Sequence, residues 1–86
     1  MELDKLTDAV MEALASAGYG GKVQDTEHDY MAHVLAHTGG VGRPRKITCV
    51  AYENGVGSVT TAGAKWFGRD YADMAASAVR RIAQGS

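Results

Sequence analysis

Three histidines and one cysteine are the side chains of this sequence best suited to chemistry, since imidazole nitrogen and thiolate sulfur bind zinc well. His33 and His37 lie four residues apart, which places both rings on one face of a helix or of a strand. His28 or Cys49 could complete a tetrahedral set. No HExxH or CxxC spacing accompanies them, so we expect partly exposed histidines, no metal site and no cofactor.

Cys49 and one of these histidines could instead form a thiolate–imidazole pair, oriented by Asp25 or Asp29. Such a nucleophile needs an oxyanion hole within a cleft, and a chain of 86 residues leaves little room for one. On a strand, a lone cysteine usually behaves as a small buried apolar residue. We therefore predict that the protein is not an enzyme.

The glycine-rich run from Gly18 to Lys22 has the composition of a phosphate-binding loop. Its spacing is not that of a P-loop, Val23 stands where Ser or Thr would be required, and a helix rather than a strand precedes it. The run is interpreted as a helix stop at Gly18 followed by a flexible loop.

The basic run from Gly42 to Lys46 reads Gly-Arg-Pro-Arg-Lys. It resembles the core of an AT-hook, an extended segment that lies in the minor groove of A·T-rich DNA. The resemblance implies that Arg43 enters the groove while Arg45 and Lys46 meet phosphates. Val41 stands where an AT-hook commonly has another arginine, and the pI of about 6.2 lacks the usual basic excess of nucleic-acid-binding domains. The alternative interpretation is a soluble turn whose charges protect a hairpin.

Lys65, Trp66 and Arg69 form a second candidate contact region, with Phe67 among them. Aromatic side chains and arginine dominate the binding energy of many protein interfaces, so this run predicts a protein-binding hot spot. In the alternative interpretation Phe67 packs under the last helix and Trp66 caps the edge of the sheet.

Composition predicts one small globular domain over residues 1–86. Hydrophobic residues make up 45% of the chain and charged residues 22%, which is ordinary for a folded protein. A single cysteine cannot form an internal disulfide, and no apolar run is long enough to span a membrane. We therefore expect a cytoplasmic protein.

Charge is unevenly distributed along the chain although its net value is only −1. Residues 1–30 hold seven acidic and two basic side chains, whereas residues 31–86 hold three acidic and seven basic ones. Such asymmetry indicates an electrostatic partner for one half, or two halves that face each other or solvent.

Periodicity predicts a helix at each end of the chain. Apolar residues at helical spacing mark a first helix over residues 2–17. The last helix follows Asp70, which is a good N-cap residue. Its buried face is predicted to carry Met74, Ala75, Ala78, Val79 and Ile82.

The dipeptide Asn54-Gly55 predicts a β-hairpin between two β-branched runs, because both residues tolerate the positive φ of a type I′ turn. With a two-residue loop, Val50 faces Val59 and Thr48 faces Thr61. One face of the hairpin then carries these four side chains and Tyr52, and Ile47, Cys49, Ala51, Ser58 and Ala62 lie on the other. The segment Gly63 to Gly68 is interpreted as a turn that contains the end of the last strand.

Residues 28–38 are compatible with two structures. A helix would begin at a capping box on Thr26 and Asp29 and stop at Gly39. A strand would place Ala32 and Val34 on the opposite face from the histidines. We choose the strand, because a hairpin alone is marginal and a third strand gives the sheet a face to bury.

The predicted fold is therefore α-β-β-β-α, an antiparallel three-stranded meander with two helices on one face. This element order is similar to that of double-stranded-RNA-binding domains, and the run from Asp73 to Ala83 resembles their Ala-rich last helix. Those domains place paired lysines at the start of that helix, where this sequence has Gly68-Arg69-Asp70-Tyr71. The resemblance implies a topology and no binding residue.

With no convincing catalytic set, the sequence predicts a small non-catalytic protein–protein interaction or inhibitor module, of the kind that viruses and mobile elements encode. The alternative is a nucleic-acid-binding protein that uses the basic Gly42–Lys46 loop. No membrane contact is expected, and a monomer or a homodimer fits equally. The predicted partner-binding residues are Arg43, Arg45, Lys46, Lys65, Trp66 and Arg69.

Overall fold

The computed structural model describes residues 2–38 and 43–84. The elements in chain order are α1 (Glu2–Ser16), β1 (Gly20–Asp25), β2 (Met31–His37), β3 (Arg45–Ala51), a short 3-10 turn (Glu53–Gly55), β4 (Gly57–Thr61), β5 (Ala64–Gly68) and α2 (Tyr71–Gln84). The strands form one antiparallel sheet in the order β1-β2-β3-β4-β5. The predicted α+β fold with both helices on one face is confirmed, but the meander has five strands rather than three.

Both helices begin where their sequences predict, and α1 ends one residue before its predicted end. In α1, Leu6, Val10 and Leu14 are fully buried, and Gly18 ends the helix with a φ of 82°. Asp70 caps α2, because its Oδ1 accepts a hydrogen bond of 3.1 Å from the backbone N–H of Asp73. The five residues predicted on the buried face of α2 are all buried.

The segment 28–38 contains a strand, as predicted, because β2 alternates buried and partly exposed side chains. Ala32, Val34 and Ala36 are buried against the helices. Thr26 does not cap a helix. Its hydroxyl accepts a hydrogen bond from the N–H of His28 (3.1 Å) and donates one to the carbonyl of Met31 (2.8 Å), which closes the β1–β2 turn.

Strand β1 was predicted as loop, because Gly20-Gly21 has low β propensity. The glycine at position 21 is required by packing rather than by a turn. A Cβ there would lie 2.8 Å from Sδ of Met11 and 3.0 Å from Cδ1 of Leu14. The missing side chain lets α1 pack closely on this edge strand.

Strand β5 was predicted only as the end of the last strand. A tight turn at Ala62 and Gly63 separates it from β4, with φ values of 49° and 77°. The pairing of Thr61 with Ala64 leaves a two-residue loop. Alanine rarely adopts positive φ. Of the Asn-Gly pair typical of a two-residue hairpin turn, the sequence therefore has only the glycine, Gly63.

The Asn54-Gly55 turn forms as predicted, with φ values of 63° and 76°. The N–H of Val56 donates to the carbonyl of Glu53 over 3.2 Å. However, the N–H of Tyr52 donates to the carbonyl of Val56 over 2.7 Å, so Tyr52 and Glu53 both lie opposite Val56. This extra residue acts as a bulge next to the turn.

The bulge makes the predicted register of this hairpin wrong by one residue. Cys49 pairs with Val59 and Thr48 with Thr60. A shift of one residue moves every side chain of a strand to the opposite face. Val59 and Thr61 therefore lie with the buried Ile47 and Cys49, whereas Ser58 and Thr60 lie with Thr48 and Val50 on the other face.

Candidate functional site on the open face of the sheet

The sheet has two different faces. The covered face is the one on which both helices pack, and its side chains are buried: Ala32, Val34, Ala36, Ile47, Cys49, Val59 and Thr61. The open face carries the alternate residues, and neither α1 nor α2 packs over it. No aspartate or glutamate is among its strand residues: Lys22, Gln24, Met31, His33, Leu35, His37, Lys46, Thr48, Val50, Ser58, Thr60, Lys65 and Phe67.

A polar row crosses the middle of the open face. The register aligns one residue from each strand in this row: Gln24, His33, Thr48, Thr60 and Lys65. Nδ1 of His33 lies 3.2 Å from Oγ1 of Thr48, which holds the imidazole against the sheet. The row therefore offers amide, imidazole, hydroxyl and ammonium groups to a ligand lying on the face.

An exposed aromatic pair lies at one end of the face. Phe67 on β5 is 63% exposed, and its ring centroid is 5.3 Å from that of Tyr52, which is 43% exposed. Nζ of Lys65 lies 5.8 Å from the Phe67 centroid, within the range of a cation–π contact. Burial of an aromatic ring is a large source of binding energy, so this exposed pair is the candidate contact region of the open face.

The alternative interpretation placed Phe67 under the last helix and Trp66 at the edge of the sheet, and the structure shows the reverse burial. Trp66 packs against the hydrophobic core, whereas Phe67 does not lie under α2. The alternation of side chains along β5 explains this difference, since Val59 of the covered face pairs with Trp66 and Ser58 pairs with Phe67.

The basic end is the end of the sheet where β3 begins and α2 finishes. Arg43, Arg45 and Lys46 lie there on one side, and Arg80 and Arg81 on the other. Arg45 and Arg81 line a surface cavity of about 440 Å³ together with Ala62 and Gln84. Nη2 of Arg81 also donates to the carbonyl of Ala62 over 3.4 Å. Lys22 and Lys65 continue the positive charge onto the open face.

The acidic end lies at the opposite ends of the strands. It holds eight of the ten acidic residues of the chain: Glu2, Asp4, Asp25, Glu27, Asp29, Glu53, Asp70 and Asp73. Only Lys5 and Arg69 among the basic residues belong to this end. The charge asymmetry of the sequence thus becomes a separation of charge along the strands, with the cations at one end and most of the carboxylates at the other.

Tyr71 joins the elements of the acidic end. Its hydroxyl lies 2.7 Å from the carbonyl oxygen of Gly55 and 3.1 Å from a carboxylate oxygen of Glu2. Desolvation, followed by the hydrogen bond to Glu2 and its negative charge, raises the pKa of Tyr71, and nearby Arg69 opposes this shift. The hydroxyl therefore remains a neutral donor that ties both helix starts to the β3–β4 turn.

The predicted partner-binding residues do not form one surface. Lys46 and Lys65 lie on the open face, whereas Arg45 pairs with Ala36 of the covered side. Trp66 is partly buried in the core. Arg69 lies at the acidic end, where its Nε donates to the carbonyl of Asn54 over 2.9 Å.

The basic run is not one extended arm like that of an AT-hook. Gly42 lies outside the described residues, and Arg43 is exposed just before β3. Arg45 and Lys46 are already the first residues of β3 and belong to opposite faces of the sheet. The strand therefore divides the charges that the resemblance would place together in a groove.

The histidines and the cysteine are separated by the sheet. His33 and His37 belong to the open face, and Cys49 is fully buried on the covered face. Burial raises the pKa of the Cys49 thiol to about 12, so it stays protonated near neutral pH. Within residues 2–38 and 43–84, no three His, Cys, Asp or Glu side chains are grouped to hold a metal ion.

Five residues of the open face are absent from the predicted partner-binding set: Lys22, His33, His37, Tyr52 and Phe67. The sequence places Phe67 in the hot spot around Lys65 and Arg69 but leaves open whether the ring packs under the last helix. The alternation along β2 separates His33 and His37 from Ala32, Val34 and Ala36. Lys22 carries no such signal, because β1 is predicted as a loop.

Comparison with protein-family models, with curated proteins and with solved structures finds no significant match to this chain. In the part of the chain that the structure describes, no helix combines the length and the apolar character needed to cross a bilayer. The case for function consequently depends on the geometry and charge of the open face.

Proposed function

We propose that this chain is a small non-catalytic binding module that holds an anionic macromolecular partner on the open face of its sheet. The observation that carries the proposal is the 63% exposure of Phe67 on a face whose strands present no acidic side chain. An aromatic anchor with Lys65 on one side, from which further cations follow toward the basic end, favours a partner that offers both apolar or planar groups and negative charge.

A protein is the first candidate partner. Phe67 and Tyr52 would form the apolar center of the interface, and Lys65 would meet carboxylates at its edge. Arg69 lies near the same pair through its hydrogen bond to Asn54. Aromatic side chains and arginine are enriched at the centers of protein interfaces, which supports an interaction or inhibitor module.

A nucleic acid is the second candidate, and the separation of charge favours it. The net charge of −1 argues against phosphate binding when the chain is treated as a whole. Eight of the ten acids lie at the acidic end, however, away from Lys46 and the arginines of the basic end. The local field at the basic end is therefore positive.

An NMR titration of the isotope-labelled protein with two polyanions, heparin and polyglutamate, tests the open face as the binding surface. We expect saturable shift changes in β2, β3 and β5 that weaken as salt increases. The double variant Lys46→Glu, Lys65→Glu should lose them. Lys5→Glu, an exposed change of the same kind on α1, is the control and should keep them. Changes confined to the helices, or no binding of either polyanion, would contradict the proposal.

A further inference from the structure

We infer that the anionic partner is a single-stranded nucleic acid whose bases stack on Phe67 and Tyr52 and whose phosphates meet the lysines of the open face. This inference rests on the proposed function, because it names the occupant of the same surface. It is carried by four features of that surface: its aromatic pair, the positions of its lysines, its polar row and its width.

The aromatic pair suits an unpaired base. Sequence-tolerant single-strand binders place bases on exposed aromatic rings, since every base has a flat π face. The ring of Phe67 is the most exposed of the large apolar side chains in the described residues, and Tyr52 lies beside it at 5.3 Å. The pair can therefore accept a base without rearrangement of the core.

Lysines follow the aromatic pair in the direction of the basic end. Side chains on one face of a strand repeat about every 6.8 Å. Lys65 lies one such step from Phe67 along β5, and Lys46 lies one step beyond Thr48 of the polar row. A chain that begins on Phe67 and runs along the strands would therefore meet Lys65, then Lys46, and then Arg43.

Between the aromatic pair and Lys46, the polar row can read base edges. His33, Thr48 and Gln24 present both hydrogen-bond donors and hydrogen-bond acceptors in this row. Unstacked bases expose such edges, whereas the side chains of an acidic peptide offer chiefly carboxylate acceptors. This combination favours a nucleic acid over an acidic protein as the occupant.

The width of the sheet favours single strands over duplexes. Five strands at a spacing of about 4.8 Å span roughly 19 Å, whereas the major groove of B-DNA is about 12 Å wide. The open face is wider than the groove of undistorted B-DNA, and a duplex keeps its bases stacked away from Phe67. A flexible single strand can lie across the face with its bases turned toward it.

Fluorescence anisotropy with labelled 12-nucleotide single strands of DNA and RNA, and with a duplex of the same DNA sequence, tests the inference at about 0.1 M salt. We expect the single strands to bind at least tenfold more tightly than the duplex. Phe67→Ala should weaken single-strand binding roughly 5- to 150-fold, as loss of one stacking contact does. Lys46→Ala should reduce the salt slope by about 0.7.

Two controls separate binding from folding. Val23→Ala removes an apolar side chain that is 40% exposed but lies on the helix side of β1, and it should leave binding unchanged. Thermal melting of Phe67→Ala should match that of the unmodified protein, because the ring is outside the core. A loss of binding in Val23→Ala, or equal binding of single strand and duplex, would overturn the inference.

The inference and the proposed function fail in different ways. If polyglutamate binds the open face and no single strand does, the partner is an acidic protein and only the inference is wrong. If neither polyanion nor single strand binds there, both are wrong. Single-strand binding that persists in Phe67→Ala and in Lys46→Ala would place the nucleic acid elsewhere and overturn the inference, and the proposed function would then stand only if polyglutamate binds the open face.

Discussion

The two faces of this sheet are built from alternate residues of the same strands, and yet they differ in charge and, apart from the buried Ser58 of the open face, in exposure. Lys46 and Ile47 are neighbours in β3, but the first is exposed among cations and the second is fully buried under the helices. The covered face supplies the apolar burial that stabilises the fold. The open face contributes little to that burial, so its residues can change for binding without loss of the core.

The largest contrast is expected from substituting these two neighbours. Ile47→Ala removes a fully buried side chain and should lower the free energy of unfolding by about 2–5 kcal/mol. Lys46→Ala should change it by no more than about 0.5 kcal/mol. Urea unfolding followed by circular dichroism compares the two variants. Similar losses of stability would show that the faces are not as different as the burial indicates.

The second prediction concerns pH. The folded pKa of Cys49, about 12, lies above its unfolded value near 9.0. The thiol therefore favours the folded state fully below pH 9, and this contribution decreases as pH rises toward 12, by about 1.4 kcal/mol per pH unit. Unfolding of the unmodified protein and of Cys49→Ala should be measured from pH 8 to pH 11. If the free energies of unfolding of the two proteins depend on pH in the same way, the Cys49 thiol has its ordinary pKa in the folded state, and the prediction is wrong.

Two adjacent glycines give a smaller contrast of the same kind. Gly21→Ala places a Cβ against Met11 and Leu14 on the covered side and should cost about 1 kcal/mol after Met11 adjusts. In Gly20→Ala the new Cβ meets only Cβ of His37 at 3.7 Å, so stability should stay equal or rise slightly. Equal destabilisation by both changes would mean that α1 does not press on β1 as the structure shows.

The smallest effects are expected at the turns that set which residue belongs to which face. Asn54→Ala should cost on the order of 1 kcal/mol, because alanine resists the φ of 63°. The reverse change, Ala62→Asn, should stabilise the protein by up to about 1 kcal/mol, since Ala62 has a φ of 49°. Melting temperatures that shift in the same direction for both variants would contradict this explanation.

Much of the architecture was predictable from local patterns. The two helices were predictable, because apolar residues at spacings of three and four form a buried stripe on one side of a helix. Strand β2 was chosen correctly, because a hairpin needed further strands to bury a face. β1 and β5 were missed, since Gly21 and Ala62 carry the opposite of the usual strand and turn signals. Those two residues are explained only by packing against α1 and by the geometry of the β4–β5 turn.

The candidate site was less predictable than the fold. The basic run and the Lys65–Arg69 region were recognised, but the sheet separates Arg45 from Lys46 and places Trp66 in the core. Phe67 was recognised as part of that region, but the choice between a binding residue and a core residue was left open. A side chain's face depends on strand register, and one bulge at Tyr52 and Glu53 reversed the prediction for all of β4.

By itself, the sequence determined the positions of both helices and the turn at Asn54-Gly55, because each depends on interactions within a few residues of the chain. Strand β2 followed only from the added requirement that the hairpin have a further strand to bury a face. The tertiary structure alone decided which lysines and aromatic rings share the open face and where the acids gather. These features depend on pairing between strands and on which face the helices cover. The net charge of −1 belongs to the sequence, whereas its separation into an acidic and a basic end belongs to the meander, which returns alternate loops to the same end of the sheet.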